Sequence, residues 1–192
     1  MPVEIARAPT WQEIAGAGDV DHIARVRTAW VEGLSAARSD GFARRIAAEG
    51  DLLDPEAALP RPAPTPGAYL CRLVRLGAPA RGEPAFSSFR PFYCFVGIGD
   101  HDDRLSITKS EGSARPAGYL WDDERGDRMI FLGALASGAG PVPAYGDDRV
   151  RDVAGIIERI GPFRWRLVIP WPASGAAVEI FEMEPAAVQS AP

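Results

Sequence analysis

"RMIFLGALA", residues 128–136, is apolar on both of its alternating faces. As a strand it sets Met129, Phe131 and Leu135 on one side and Ile130, Leu132 and Ala136 on the other. A strand with that pattern has to be covered on both sides. From Ala68 onward, eight apolar segments of strand length are separated by turn residues: 68–76, 92–99, 104–110, 115–122, 128–136, 152–160, 163–170 and 176–184. Strands do not alternate with helices, so the fold class is mainly β. We expect a small antiparallel barrel or sandwich of about eight strands.

The second cover for 128–136 is expected from the N-terminus. Within "DVDHIARVRTAWVEGLSAARSDG", Ile23, Val26, Trp30, Leu34 and Ala37 recur at helical spacing, with Asp19 or Asp21 as cap and Gly41 as stop. "FARRIAAEG" predicts a second, shorter helix ending at Gly50. The organisation is then a helical segment at 1–59 packed outside the barrel and a proline-rich connector at 60–67. The barrel follows at 68–185, with a disordered tail at 186–192.

"PFRWRLVIP" at 162–170 alternates, with Phe163, Trp165, Leu167 and Ile169 on one face. Across the "WPASG" loop the expected pairing sets Val178 opposite Leu167, Ile180 opposite Trp165, and Glu179 opposite Arg166 on the outer face.

The chain carries 21 basic and 26 acidic residues, a net charge of −5, and offers no electrostatic footprint for nucleic acid. Lys109 is its single lysine. No apolar run reaches the length of a transmembrane helix. Met1–Glu4 lacks the charged and apolar regions of a signal peptide, so the protein is either cytoplasmic or the mature part of an exported one.

"PGAYLCRLVRLG", "FYCFV", "SITKSEGSARPAGYLWDDERGDRMIFLGA", "YGDDRVRDVAGIIERIG" and "RWRLVIPWP" together resemble an uncharacterised bacterial family, domain of unknown function 4893. The resemblance spans roughly residues 19–185 and transfers no reaction, ligand or catalytic residue. It implies an exported protein, periplasmic or secreted, with both cysteines part of the pattern.

Cys71 and Cys94 lie in successive strands, which permits a bridge if those strands pair. On the residues alone, a disulfide and two free buried thiols stand equal. The export implied by the resemblance favours the disulfide. Neither a CxxC motif nor a zinc-ligand set is present.

Catalytic chemistry is sparse. His22 and His101 stand in no metal-ligand spacing, and neither a nucleophile elbow nor a phosphate loop occurs. The acidic clusters at 100–103, 122–127 and 147–152 match hairpin-turn composition better than a calcium loop. No metal or other cofactor is expected. Two constellations remain. Lys109, Ser113 and Arg115 surround a turn that could bind a carboxylate or phosphate. Glu158 sits opposite Trp165, facing inward, if Gly161-Pro162 is a two-residue turn; in the alternative register it faces outward to meet Arg164 or Arg166. The inward register is the one preferred, and burial there would raise the carboxyl pKa.

The expected function is a non-enzymatic exported binding module for a small apolar ligand or a protein partner, inhibitor-like by fold analogy alone. Lys109, Ser113, Arg115, Glu158 and Trp165 are its candidate ligand contacts. The alternatives are an enzyme with a Lys109–Arg115–Glu158 centre and a structural component of an envelope assembly. The enzyme requires those three side chains to meet in one pocket.

Overall fold

A computed structural model describes residues 8–99, 104–109, 114–137 and 140–187, with the side chains at 114, 115 and 137 outside the description. The strands are β1 (Gly67–Leu76), β2 (Phe86–Ser88), β3 (Phe92–Ile98), β4 (Leu105–Lys109), β5 (Ala114–Asp122), β6 (Met129–Ser137), β7 (Asp152–Gly161), β8 (Arg164–Pro170) and β9 (Val178–Pro185). All pair antiparallel in the order β2-β1-β3-β4-β5-β6-β7-β8-β9, and β1 also pairs β9, which closes the sheet into a barrel. The short β2 pairs the upper half of β1 (74–76) while β3 pairs its lower half (67–71). Residues 89–91 separate them, so the two occupy one strand position. The sequence reading missed β2, because three residues carry no alternation.

Alternation divides the side chains as a closed barrel requires. Phe131, Ile157, Leu167, Phe181, Met183 and Tyr69 pack inside. Ile130, Leu132, Ile156, Val168, Val178 and Ile180 point outward into a second apolar layer beneath the helices. Both faces of "RMIFLGALA" are therefore buried, for the expected reason. Gly133 fits because β5 runs so close that a Cβ would lie 2.2 Å from the Ala117 carbonyl oxygen.

The expected N-terminal helix forms as α2 (Ala17–Ala24) and α3 (Val26–Ser39), broken at Arg25, after a single turn α1 (Trp11–Ile14). No glycine or proline marks that break. Trp30, Leu34 and Ala37 of α3 face the wall, and a Cβ on Gly33 would meet the Leu76 Cβ at 2.9 Å, so the helix backbone lies close to the strands. The second helix, α4 (Ala43–Glu49), runs into a 3-10 turn at Gly50–Leu53. Arg72 on the outer wall ties α4 to the barrel by bonding both Glu49 and Glu182. No helix among the described residues is long and apolar enough to cross a membrane.

Two registers differ from expectation. Across β8–β9, Trp165 faces Met183, Arg166 faces Glu182 and Leu167 faces Phe181, three residues away from the predicted pairing. The loop is longer than "WPASG" because the Ala177 N–H bonds the Leu76 carbonyl of β1 and Trp171 N–H reaches the Ala177 carbonyl. An odd shift reverses every side chain. Glu179 therefore turns inside the barrel rather than pairing with Arg166 outside. Across β7–β8, an irregularity between Arg159 and Gly161 sets Glu158 opposite Arg166, not Trp165. Glu158 faces outward, and the preferred inward placement beside the indole is corrected.

The Cys71–Cys94 disulfide is formed, with Cα atoms 6.0 Å apart. β1 and β3 do pair, but the cysteines sit diagonally: Tyr69 is opposite Cys94 and Cys71 opposite Phe92. Both sulfur-bearing side chains point into the barrel core. From residue 188 on, the expected tail lies outside the described residues.

Candidate functional site

Of the sequence-derived site residues, the described ones, Lys109, Glu158 and Trp165, do not converge. Glu158 and Arg166 form a buried ion pair at 2.7 Å beneath the helices, where Arg166 also donates to the carbonyls of Asp51, Leu52 and Asp54 and lies over the Trp30 ring. These contacts all fasten the helical segment to the barrel wall. Trp165 is inside the barrel at the end where β8 begins, edge-on to Tyr69, its indole N–H buried without a hydrogen-bond partner among the described residues. Ser113 lies outside the described residues, and so does the Arg115 side chain. Of the three described, Lys109 is the one that lines a cavity. The pocket required for a Lys109–Arg115–Glu158 centre is not formed, since Glu158 lies on the outer wall.

That cavity, about 520 Å³, opens at the end of the barrel where β1, β4, β6 and β8 finish. Leu73, Leu135, Ile169 and Phe181 supply its apolar wall, with Arg75, Lys109 and Glu179 among them. The Arg75 guanidinium donates to Glu179 at 2.9 Å, a pair created by the register that turns Glu179 inward. Lys109 stands 4.3 Å from the Phe92 ring centroid. Burial lowers its pKa, and Glu179 partly offsets that. Below the mouth the interior narrows to about 10 Å³ between the disulfide, Phe92, Ile107, Phe181 and Met183, so side chains fill the barrel there.

The cavity continues over the rim between β7 and the β8–β9 loop, where α2 brings Asp19 and His22 opposite Asp152 and Trp171. Trp171 holds φ at 42°, a conformation costly for a bulky residue and concentrated at functional sites. Its place is over-determined: the indole N–H donates to Glu32 at 2.8 Å, Arg25 stacks 4.8 Å from the ring, and His22 lies 5.2 Å away. Tyr145 ties α2 to the loop before β7, accepting from Gly16 N–H and donating to Asp19. Burial first, and then Asp19, hold its hydroxyl pKa well above the usual phenol value, so it remains a donor. A second cavity of about 550 Å³, at the opposite end, is bounded by residues 8–12 and by Trp121, whose ring Arg104 already covers at 3.5 Å.

The sequence did not single out Arg75 or Trp171; Asp19 read as a helix cap, Glu179 as an outer-face residue and Asp152 as part of a turn cluster, and His22 was set aside. A correct β8–β9 register would have found Glu179 and then Arg75, which shares the face of Cys71 and Leu73. Nothing local signals the meeting of α2 with β7.

A depressed Lys109 pKa has a measurable consequence. At pH values below the folded pKa the side chain is charged in both states, and the burial penalty is fully present. Between the folded and unfolded values the unfolded chain binds more protons, so stability rises with pH. Lys109→Met is therefore expected to raise the urea midpoint at pH 7, with a gain that shrinks as pH rises from the folded pKa toward the unfolded value of about 10 and is gone above it. Urea unfolding of both proteins at the two pH values checks this.

Among the described residues, no group of three or more His, Cys, Asp or Glu side chains could hold a metal ion. No curated protein and no solved structure matches the chain. One family model does, over residues 11–183, which takes in the helices and the barrel from α1 to Met183 in β9. Its description is Domain of unknown function (DUF4893), and the chain belongs to that family.

Proposed function

We propose that the protein is a non-enzymatic binding module that seats a small, largely apolar molecule in the barrel mouth. The observation that carries this reading is the 520 Å³ cavity, large enough for a metabolite-sized ligand and walled by apolar side chains with a few partly buried charged groups. The strained Trp171 at its edge and the filled core beneath support a ligand held at the mouth rather than deep in the barrel. The Cys71–Cys94 bridge supports an oxidising compartment, and with it export.

Leu135→Trp places an indole in the cavity and tests the reading. The small-molecule fraction of the source cells should raise the melting temperature of the wild-type protein by mass action. The variant should gain nothing. Equal shifts for both would put the ligand elsewhere.

A protein partner is the second reading, favoured by a different surface. The outer wall of β1 and β3 away from the helices exposes Leu70, Tyr93 and Phe95 at 44%, 54% and 43%. These aromatic and aliphatic side chains cluster on one face, as interaction patches do.

A further inference from the structure

One buried polar atom of the mouth lacks a hydrogen-bond donor among the described residues. Asp152 opens β7 one position before the inward-facing Val153, so its carboxylate sits on the rim beneath α2. The side chain is 4% exposed. Its Oδ1 accepts the Gly146 N–H at 2.8 Å. Its Oδ2 is buried and accepts no hydrogen bond from a described residue, and the largely exposed Arg149 pairs with it only at 3.8 Å. A buried carboxylate oxygen in that condition is costly, and such groups call for a partner.

Asp19 lines the same side of the cavity and accepts a hydrogen bond from the Tyr145 hydroxyl. Two carboxylates thus face the rim, with Arg149 in ion-pair range of Asp152, while His22 completes that side. The other basic groups of the cavity, Arg75 and Lys109, lie inside the barrel, where Arg75 is bound to Glu179. A charged donor would satisfy Asp152 Oδ2 better than a neutral one, because charge-assisted hydrogen bonds are about twice as strong.

We infer that the ligand of the mouth carries a protonated amine that docks on Asp152 Oδ2 beside Asp19, its apolar body extending over Ile169 and Phe181. This rests on the mouth being the binding site. The ligand class is an amphipathic amine.

The test titrates the full chain at pH 7 with three probes of one shape: 2-phenylethylamine, 2-phenylethanol and phenylacetate. The amine should bind roughly ten- to a hundredfold more tightly than the alcohol. Asp152→Asn, which retains an acceptor for Gly146, should bring the amine to the level of the alcohol. Equal binding of amine and alcohol to the wild-type protein would overturn the amine while leaving the mouth as a site. Tightest binding of phenylacetate would do the same and transfer recognition to Arg75 and Lys109. Absence of binding by all three would overturn both the amine and the mouth. The comparison of probes on the wild-type protein decides the matter even if the variant does not fold.

Discussion

Arg166→Ala is expected to lower the melting temperature by roughly 10 °C or more, the largest single-site effect in this protein. Arg166 is fully buried, and its guanidinium serves four acceptors: Glu158 and the carbonyls of Asp51, Leu52 and Asp54. Truncation leaves a buried carboxylate unpaired and removes the donor shared by the end of the 3-10 turn. Breaking a buried pair by deleting one partner costs about 3–5 kcal/mol. Replacing both members with apolar residues of similar size, Arg166→Met with Glu158→Leu, should recover much of that loss, since desolvation of two charges is avoided. Thermal unfolding followed by circular dichroism measures both. If Arg166→Ala melts with the wild type, the pair does not fasten the helices to the barrel.

Loss of the Cys71–Cys94 bridge is the second large effect. Its partners are 23 residues apart, a loop whose closure in the unfolded chain corresponds to about 3 kcal/mol. The double substitution to alanine should lower the melting temperature by roughly 6–12 °C. The sulfurs sit in the barrel core, with the two residues 1% and 3% exposed. Dithiothreitol should therefore leave the folded protein oxidised and reduce it only as urea opens the barrel. Mass spectrometry after alkylation, with and without urea, follows this. Rapid alkylation without urea would show that the bridge is accessible and that the core opens readily.

The barrel was legible because its cause is local. Alternation in β6 and β8, and turn residues between apolar runs, specify antiparallel strands without reference to the rest of the chain. Register was less legible because it depends on distant groups. The loop after β8 takes its length from the bond between Ala177 and Leu76 and from the conformation of Trp171, and no short-range rule supplies either. That one error hid Glu179 inside an assumed outer face and kept Arg75 out of view. Arg166 read as an outward arginine, which it is. The helix and 3-10 turn that bury it are more than a hundred residues away in sequence. The mouth was the least legible, since Asp19, His22, Asp152 and Trp171 are unremarkable in their own segments and meet only when α2 docks on the rim.

If the mouth holds a small molecule, that molecule should accompany the protein through native purification. Native mass spectrometry of the wild-type protein and the Leu135→Trp variant, each isolated from the source organism, tests it most directly. Occupancy of the mouth gives an additional mass on the wild-type protein that denaturation releases and that the variant lacks. A bare wild-type protein, or the same additional mass on both, would contradict it.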